Sequence, residues 1–197
     1  MIKGAKFWDD PQRYYTQENN PTESFLKATL DERREWLESC GPTAAVNCLS
    51  VIGANINVIC PGEYRPQPEE VLMDFFNDPR NRRDLKSIRE VSNKIPGNRV
   101  PQYYPLAVRK VFGAYANFAW EATLSKVSKY LLDGHAVQLC LKDPGHYIAA
   151  VAFDTTAQEI IYNDSWPNRF YNGRGWNIRM GLREFVTNVQ PYCIVYG

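Results

Sequence analysis

At 197 residues the chain is long enough to bury one substantial core, or at most two small ones. Its 44% hydrophobic and 23% charged residues are the balance of a folded protein, which excludes disorder as the dominant state. The formal charge of +1 gives no global pull toward nucleic acid or an anionic membrane, and no apolar stretch is long enough to span a bilayer.

The first ten residues, Met1 to Asp10, carry acids early and lack an apolar segment. They do not read as a secretory signal, and a cytoplasmic setting is expected. Residues 1–39 are polar, aromatic and turn-rich, and a charged piece from Leu30 to Glu38 suits a short helix. From Gly41 the pattern changes. Pro42 suits a first helical position, where its missing N–H would be unbonded anyway. Ala44, Ala45, Val46, Cys48, Leu49 and Ile52 then supply a largely apolar helix that belongs in a core, and Gly53 suits its C-terminal cap.

Cys60 to Pro68 is a Pro/Gly-rich connector. Pro68-Glu69-Glu70, ahead of Val71, Leu72, Phe75 and Phe76, predicts a helix with acids in its first turn. The stretch Arg80 to Arg99 is locally basic and open to two readings, a solvated helical face or a polyanion-binding patch. Few aromatics interleave its basic residues, which argues against single-stranded nucleic acid. Tyr103 to Phe112 predicts another short helix, ended by Gly113.

The second half reads differently. A short apolar run near Asn117 to Trp120 precedes helical spacing over Thr123 to Leu132, stopped by Asp133-Gly134. Strands are predicted over Ala136 to Leu141, Tyr147 to Phe153, Glu159 to Asn163 and Cys193 to Tyr196. Such short turns between apolar runs make neighbouring strands antiparallel. Helices first and an antiparallel sheet second define an α+β class. The expectation is a single domain over residues 1–197, helical to about residue 133 and sheet-forming from about 134.

An odd count of five cysteines, with no paired spacing, argues for reduced thiols. With no C-x-x-C and only two histidines, no metal site and no cofactor are expected. Cys48, Cys140 and Cys193 sit in or beside apolar runs and read as small buried hydrophobes, and Cys60 as a loop thiol. Cys40 is different, because it stands where a helix is about to begin. The dipole and free N–H groups of a helix start favour a thiolate, the form in which sulfur attacks. An imidazole can complete that activation if a third group holds its other nitrogen. His146 opens one predicted strand and Asp164 follows the next; in an antiparallel hairpin those two ends meet. His135 competes with His146, but it follows the helix-stopping Gly134 and has no carboxylate after a paired strand.

Cys40-Gly41-Pro42-Thr43-Ala44-Ala45, Gly134-x-Ala136-Val137, the run Gly145-His146-Tyr147 through Asp154, and Asn163-Asp164-Ser165-Trp166-Pro167 together resemble a known superfamily. It is the papain-like peptidase superfamily that removes double-glycine leaders, and in particular the stand-alone bacterial and phage relatives of the peptidase domain of bacteriocin exporters. The likeness runs from Tyr14 to Asp164 and touches Trp176 to Tyr196. It implies a papain-like fold, with Cys40 as nucleophile, His146 as general base then acid, and Asp164 orienting the imidazole. Gln17, in Tyr14-Tyr15-Thr16-Gln17, would share the oxyanion hole with the Cys40 backbone N–H. The stretch between Gln17 and Cys40 is longer than the family's usual gap, which leaves Arg34 as an alternative. No transporter domain follows, so cleavage of an exported leader is not implied.

The expected activity is that of a cysteine peptidase or amide hydrolase working through an acyl-enzyme. Two alternatives stay open on the same fold: an inactive binding or inhibitory protein, and an acyl or glutamyl transferase. The expected partner is a peptide or protein substrate, with no membrane and no nucleic acid. Trp166 and Tyr147, which flank the proposed dyad, are offered both as walls of a substrate groove and as core packing.

Overall fold

The computed structural model describes residues 1–17, 39–57, 67–78, 80–81, 99–143, 145–166 and 174–197. Its strands are β1 (Ile2–Gly4), β2 (Ala116–Ala119), β3 (Ala136–Leu141), β4 (Tyr147–Asp154), β5 (Glu159–Asp164), β6 (Ile178–Met180) and β7 (Val189–Tyr196). They form one sheet in the order β2-β7-β3-β4-β5-β6, with β1 also pairing with β4. Every pairing is antiparallel. The helices are α1 (Cys40–Ile52), α2 (Pro68–Asn77), α3 (Tyr104–Phe112), α4 (Leu124–Leu132) and α5 (Leu182–Asn188). The architecture is α+β.

Alternation along the strands sorts their side chains between two apolar clusters, as a pleat of period two requires. Ala136 and Cys140 of β3, with Tyr147, Ala149 and Val151 of β4, join α1, α2 and α3 on one face. Val137, Leu139 and Leu141, with Ile148 and Ala150, join α4 and Phe185 of α5 on the other. A register shift in the β4–β5 pairing falls between Ala150 and Ala152, so Val151 and Ala152 both turn to the α1 face.

Helix α1 is the element nearest the centre. Gly41 through Val51 are all buried, as an all-round apolar helix must be. Gly53 adopts φ 82° and returns its N–H to the carbonyls of Leu49 and Ser50, closing the helix as expected. The helix starts earlier than Pro42 suggests: Cys40 is itself the first residue, and proline occupies the third. Its missing N–H still costs nothing there, because none of the first four helical amides has an intrahelical acceptor.

Several elements escape the sequence pattern. The three-residue β1 pairs with the far end of β4, Ile2 opposite Asp154 and Gly4 opposite Ala152. The apolar run before Trp120 is an edge strand, β2, against β7. β6 and α5 were not anticipated, and β7 begins at Val189 rather than Cys193. The expected helix over 30–38 and most of the basic stretch 80–99 lie outside the described residues, as do Cys60 and Arg34.

Candidate active site

Cys40 stands at the start of α1 and His146 at one end of the sheet, and Cys40 influences the His146 imidazole. Cys40 opens α1, where Ser39 lends no side-chain cap: its carbonyl accepts both the N–H and the hydroxyl of Thr43, each at 2.9 Å. The leading amides of the helix are therefore not consumed by a capping side chain. His146 sits just before β4, and its carbonyl takes the N–H of Leu141 at 2.7 Å, which fixes it at the end of the β3–β4 hairpin. Asp164 is the last residue of β5, opposite Ile148.

The antiparallel register brings the imidazole and the carboxylate into contact. His146 Nε2 lies 2.7 Å from Asp164 Oδ1, with the two residues only 3% and 1% exposed. The same carboxylate oxygen accepts the Trp166 N–H at 2.8 Å. With Nε2 on Asp164, it is the Nδ1 side of the ring that can face the Cys40 thiol, whose influence on His146 is to favour its protonated form. Burial opposes an imidazolium here, but the bonds to Asp164 and Cys40 and the charges of both outweigh it, so the His146 pKa is raised to about 9. The proton-holding form of the ring is the favoured one at neutral pH.

Residues Tyr14 to Gln17 strap the two walls together. The Asn47 side chain, two turns into α1, accepts the Tyr15 N–H and donates to the Tyr15 carbonyl, both at 2.9 Å, and donates again to Thr43 O at 3.0 Å. On the other side, the Tyr14 hydroxyl donates to Asp164 O at 2.7 Å, Thr16 Oγ1 to Ser165 O at 3.0 Å, and the Gln17 N–H to Ser165 O at 2.9 Å. Ser165 Oγ then donates to Gln17 Oε1 at 2.7 Å, which makes the other end of the amide its NH2. Gln17 is 5% exposed and lies against the residue following Asp164. Gly175 closes this wall, taking the Asp164 N–H at 2.6 Å on its carbonyl. A Cβ there would collide with the Tyr14 hydroxyl and the Asp164 carbonyl.

The remaining candidates divide. Trp166 is half-buried with its ring 6.4 Å from that of His146. Tyr147 is 6% exposed and packs in the core, its ring 5.9 Å from Tyr104. Because β4 alternates, the residue after His146 points inward under α1. His135 lies at the far end of β3, its N–H on Tyr130 O, and does not approach Cys40. Cys48 and Cys193 are fully buried and Cys140 nearly so, and burial pushes all three thiols up, that of Cys193 to about 12. Cys40 is more exposed than these three.

Asn47, Ser165, Tyr14 and Gly175 are the site residues that sequence reasoning did not single out. Among the described residues no group of three or more His, Cys, Asp or Glu is arranged to hold a metal ion, and no helix is long and apolar enough to cross a membrane.

An antiparallel α+β fold with a thiol, an imidazole and a carboxylate gathered at one end is the arrangement of a papain-like peptidase. The chain belongs to the Peptidase_C39 like family, whose model matches residues 11–181. Among solved structures it is similar to the N-terminal peptidase C39 like domain of the toxin secretion ATP-binding protein from Vibrio parahaemolyticus. That likeness has 18% identity and a TM-score of 0.37, over 54% of this chain and 74% of that one. No curated protein matches the chain.

Proposed function

We propose that this protein hydrolyses a peptide or amide bond through an acyl-enzyme, with Cys40 as nucleophile, His146 as general acid and base, and Asp164 as the group that orients the ring. The observation that carries the reading is the buried imidazole bonded to Asp164 through Nε2, with a pKa that Asp164 and Cys40 together raise to about 9. A ring that holds its proton this firmly is the partner a thiolate needs.

The reaction follows from those positions. The Cys40 sulfur forms a bond to the substrate carbonyl carbon, and the carbonyl π electrons move onto oxygen. That oxyanion is met by the Cys40 N–H at the uncapped start of α1 and by the side-chain amide of Gln17. Collapse breaks the carbon–nitrogen bond as His146 Nδ1 gives its proton to the departing amine. Water then adds to the thioester while His146 removes a proton from it. The carbon–sulfur bond breaks, the acid departs, and the thiolate–imidazolium pair is restored.

The test needs no knowledge of the natural substrate. Iodoacetamide at neutral pH, followed by peptide mass spectrometry, is expected to alkylate Cys40 at least about tenfold faster than Cys48, Cys140 or Cys193. The advantage is expected to vanish in His146→Ala, and hydrolysis of a peptide library to fall by about a thousandfold or more in Cys40→Ala and His146→Ala. Equal alkylation of Cys40 in the parent and in His146→Ala would overturn the assignment.

A further inference from the structure

A helix that begins at its nucleophile has to be fastened at that end without consuming the amides the reaction needs. The usual fastening is an N-cap side chain that accepts from the second or third helical N–H. In α1 that device is missing. The Ser39 hydroxyl is buried and has no hydrogen-bond partner among the described residues. The third helical position is Pro42, which has no N–H to offer. Thr43, the next residue, gives its N–H to the Ser39 carbonyl at 2.9 Å.

The fastening comes from the sheet instead, and it grips a carbonyl. Gln138 of β3 donates from Nε2 to the Gly41 carbonyl at 3.1 Å, one residue past the thiol. Its own amide is held in turn: Oε1 accepts the hydroxyl of Tyr196 on β7 at 2.5 Å, with Gln138 1% exposed and Tyr196 fully buried. That bond sets the oxygen toward β7 and the NH2 toward the helix. The same strand carries the other half of the site. Further along β3, the Leu141 N–H donates to the His146 carbonyl at 2.7 Å. At about 3.3 Å per residue, the anchor for α1 and the anchor for His146 stand about 10 Å apart on one length of backbone.

We infer that Gln138 is a positioning residue for Cys40: by holding the Gly41 carbonyl it sets the first turn of α1, and the sulfur on it, against His146. The inference rests on Cys40 being the nucleophile, and adds to that reading the group that places it. Gln138 touches no reacting atom. Because it fastens the turn through a carbonyl, the N–H groups of Cys40 and Gly41 stay uncommitted to a cap and can serve the thiolate and the oxyanion. A residue that merely filled the core would affect stability and leave the ionisation of the thiol alone.

The pH profile of iodoacetamide alkylation at Cys40, read by peptide mass spectrometry, separates these roles. The parent midpoint is expected at least about one pH unit below that of glutathione. Gln138→Met, of similar length but without the amide, is expected to raise that midpoint by about one unit, so that alkylation on the acid side of the profile slows about tenfold. Tyr196→Phe, which removes the brace and keeps the Gln138 donor, is expected to shift it in the same direction by less. Leu139→Ala, the neighbour on the opposite face of β3, is expected to lose at least as much stability in urea and to leave the midpoint in place. An unmoved midpoint in Gln138→Met, or an equal shift in Leu139→Ala, overturns the positioning role while the nucleophile stands. Should Gln138→Met fail to fold, Tyr196→Phe decides, and an unmoved midpoint there overturns it. A parent midpoint no lower than that of glutathione overturns both readings.

Discussion

The two faces of the sheet are built to different rules. On the α4 side, Val127, Leu131, Val137, Leu139, Ile148, Ile160 and Phe185 form an apolar packing. On the α1 side the core is equally buried but threaded with polar groups: Thr43, Asn47 and Ser50 within the helix, and Gln138 on the strand beneath it. Gln138 donates to Gly41 O at 3.1 Å and accepts from the Tyr196 hydroxyl at 2.5 Å. Buried polar groups add little net stability over apolar ones of the same shape, but they hold a geometry that fits one arrangement only. One face keeps the protein folded, and the other keeps Cys40, Gln17 and His146 in register.

That division can be broken from either side. Leu139→Ala, in the apolar face and fully buried, is expected to cost about 2–5 kcal/mol in urea unfolding. The Cys40 alkylation rate of the protein that remains folded should not change. A large change in that rate would mean that the faces are not independent.

The linkage of His146 to folding sharpens the contrast, because it belongs to the site and not to the packing. Its folded pKa is raised from 6.5 to about 9, so it stabilises the fold by on the order of 3 kcal/mol. The sign is that of a cation gaining partners: the contribution is full below about pH 6.5 and is lost as pH rises through about 9. The stability difference between the parent and His146→Asn is therefore expected to shrink from about pH 6 to about pH 10, by urea unfolding at each pH. A difference that grows with pH would refute a protonated imidazole in the folded state.

Asn47→Ala is the smallest expected change in stability and the most telling about position. It strands the Tyr15 N–H and carbonyl, a loss of about 2 kcal/mol. Because Tyr15 leads to Gln17, peptide hydrolysis is expected to fall about tenfold while plain iodoacetamide labelling of Cys40 is retained, since alkylation builds no oxyanion. Equal loss in both assays would place Asn47 with the packing instead.

Much of this arrangement was legible in the chain itself, for local reasons. The apolar run after Cys40 with Gly53 at its end, and the tight turns around residues 142–146 and 155–158, are signals carried by neighbouring residues. The meeting of His146 and Asp164 follows from antiparallel pairing alone. What the chain did not disclose depends on partners far away in sequence. Asn47 looks like any polar residue in a helix until Tyr15 lies beside it. Ser165 looks like a turn former until Gln17 is brought to its hydroxyl. β1, three residues long, carries too few side chains for a period to be read, and Gly4 is tolerated only because the backbone of β4 passes so close. Tyr147, offered both as groove wall and as core packing, turns inward beneath α1.

The extra residue in β4 decides where the imidazole falls. Ala150 stands opposite Tyr162, and Ala152 opposite Ile161, so Val151 has no counterpart on β5. Were Val151 paired with Tyr162 instead of bulged, the ladder would set Asp164 against Ala149 instead of Ile148, one position further from His146. That slip is about 3.3 Å along the strand and turns alternate side chains to opposite faces. A chain shortened by Val151 alone would still pair Ala150 with Tyr162 and Ile148 with Asp164, and would keep the 2.7 Å contact between ring and carboxylate.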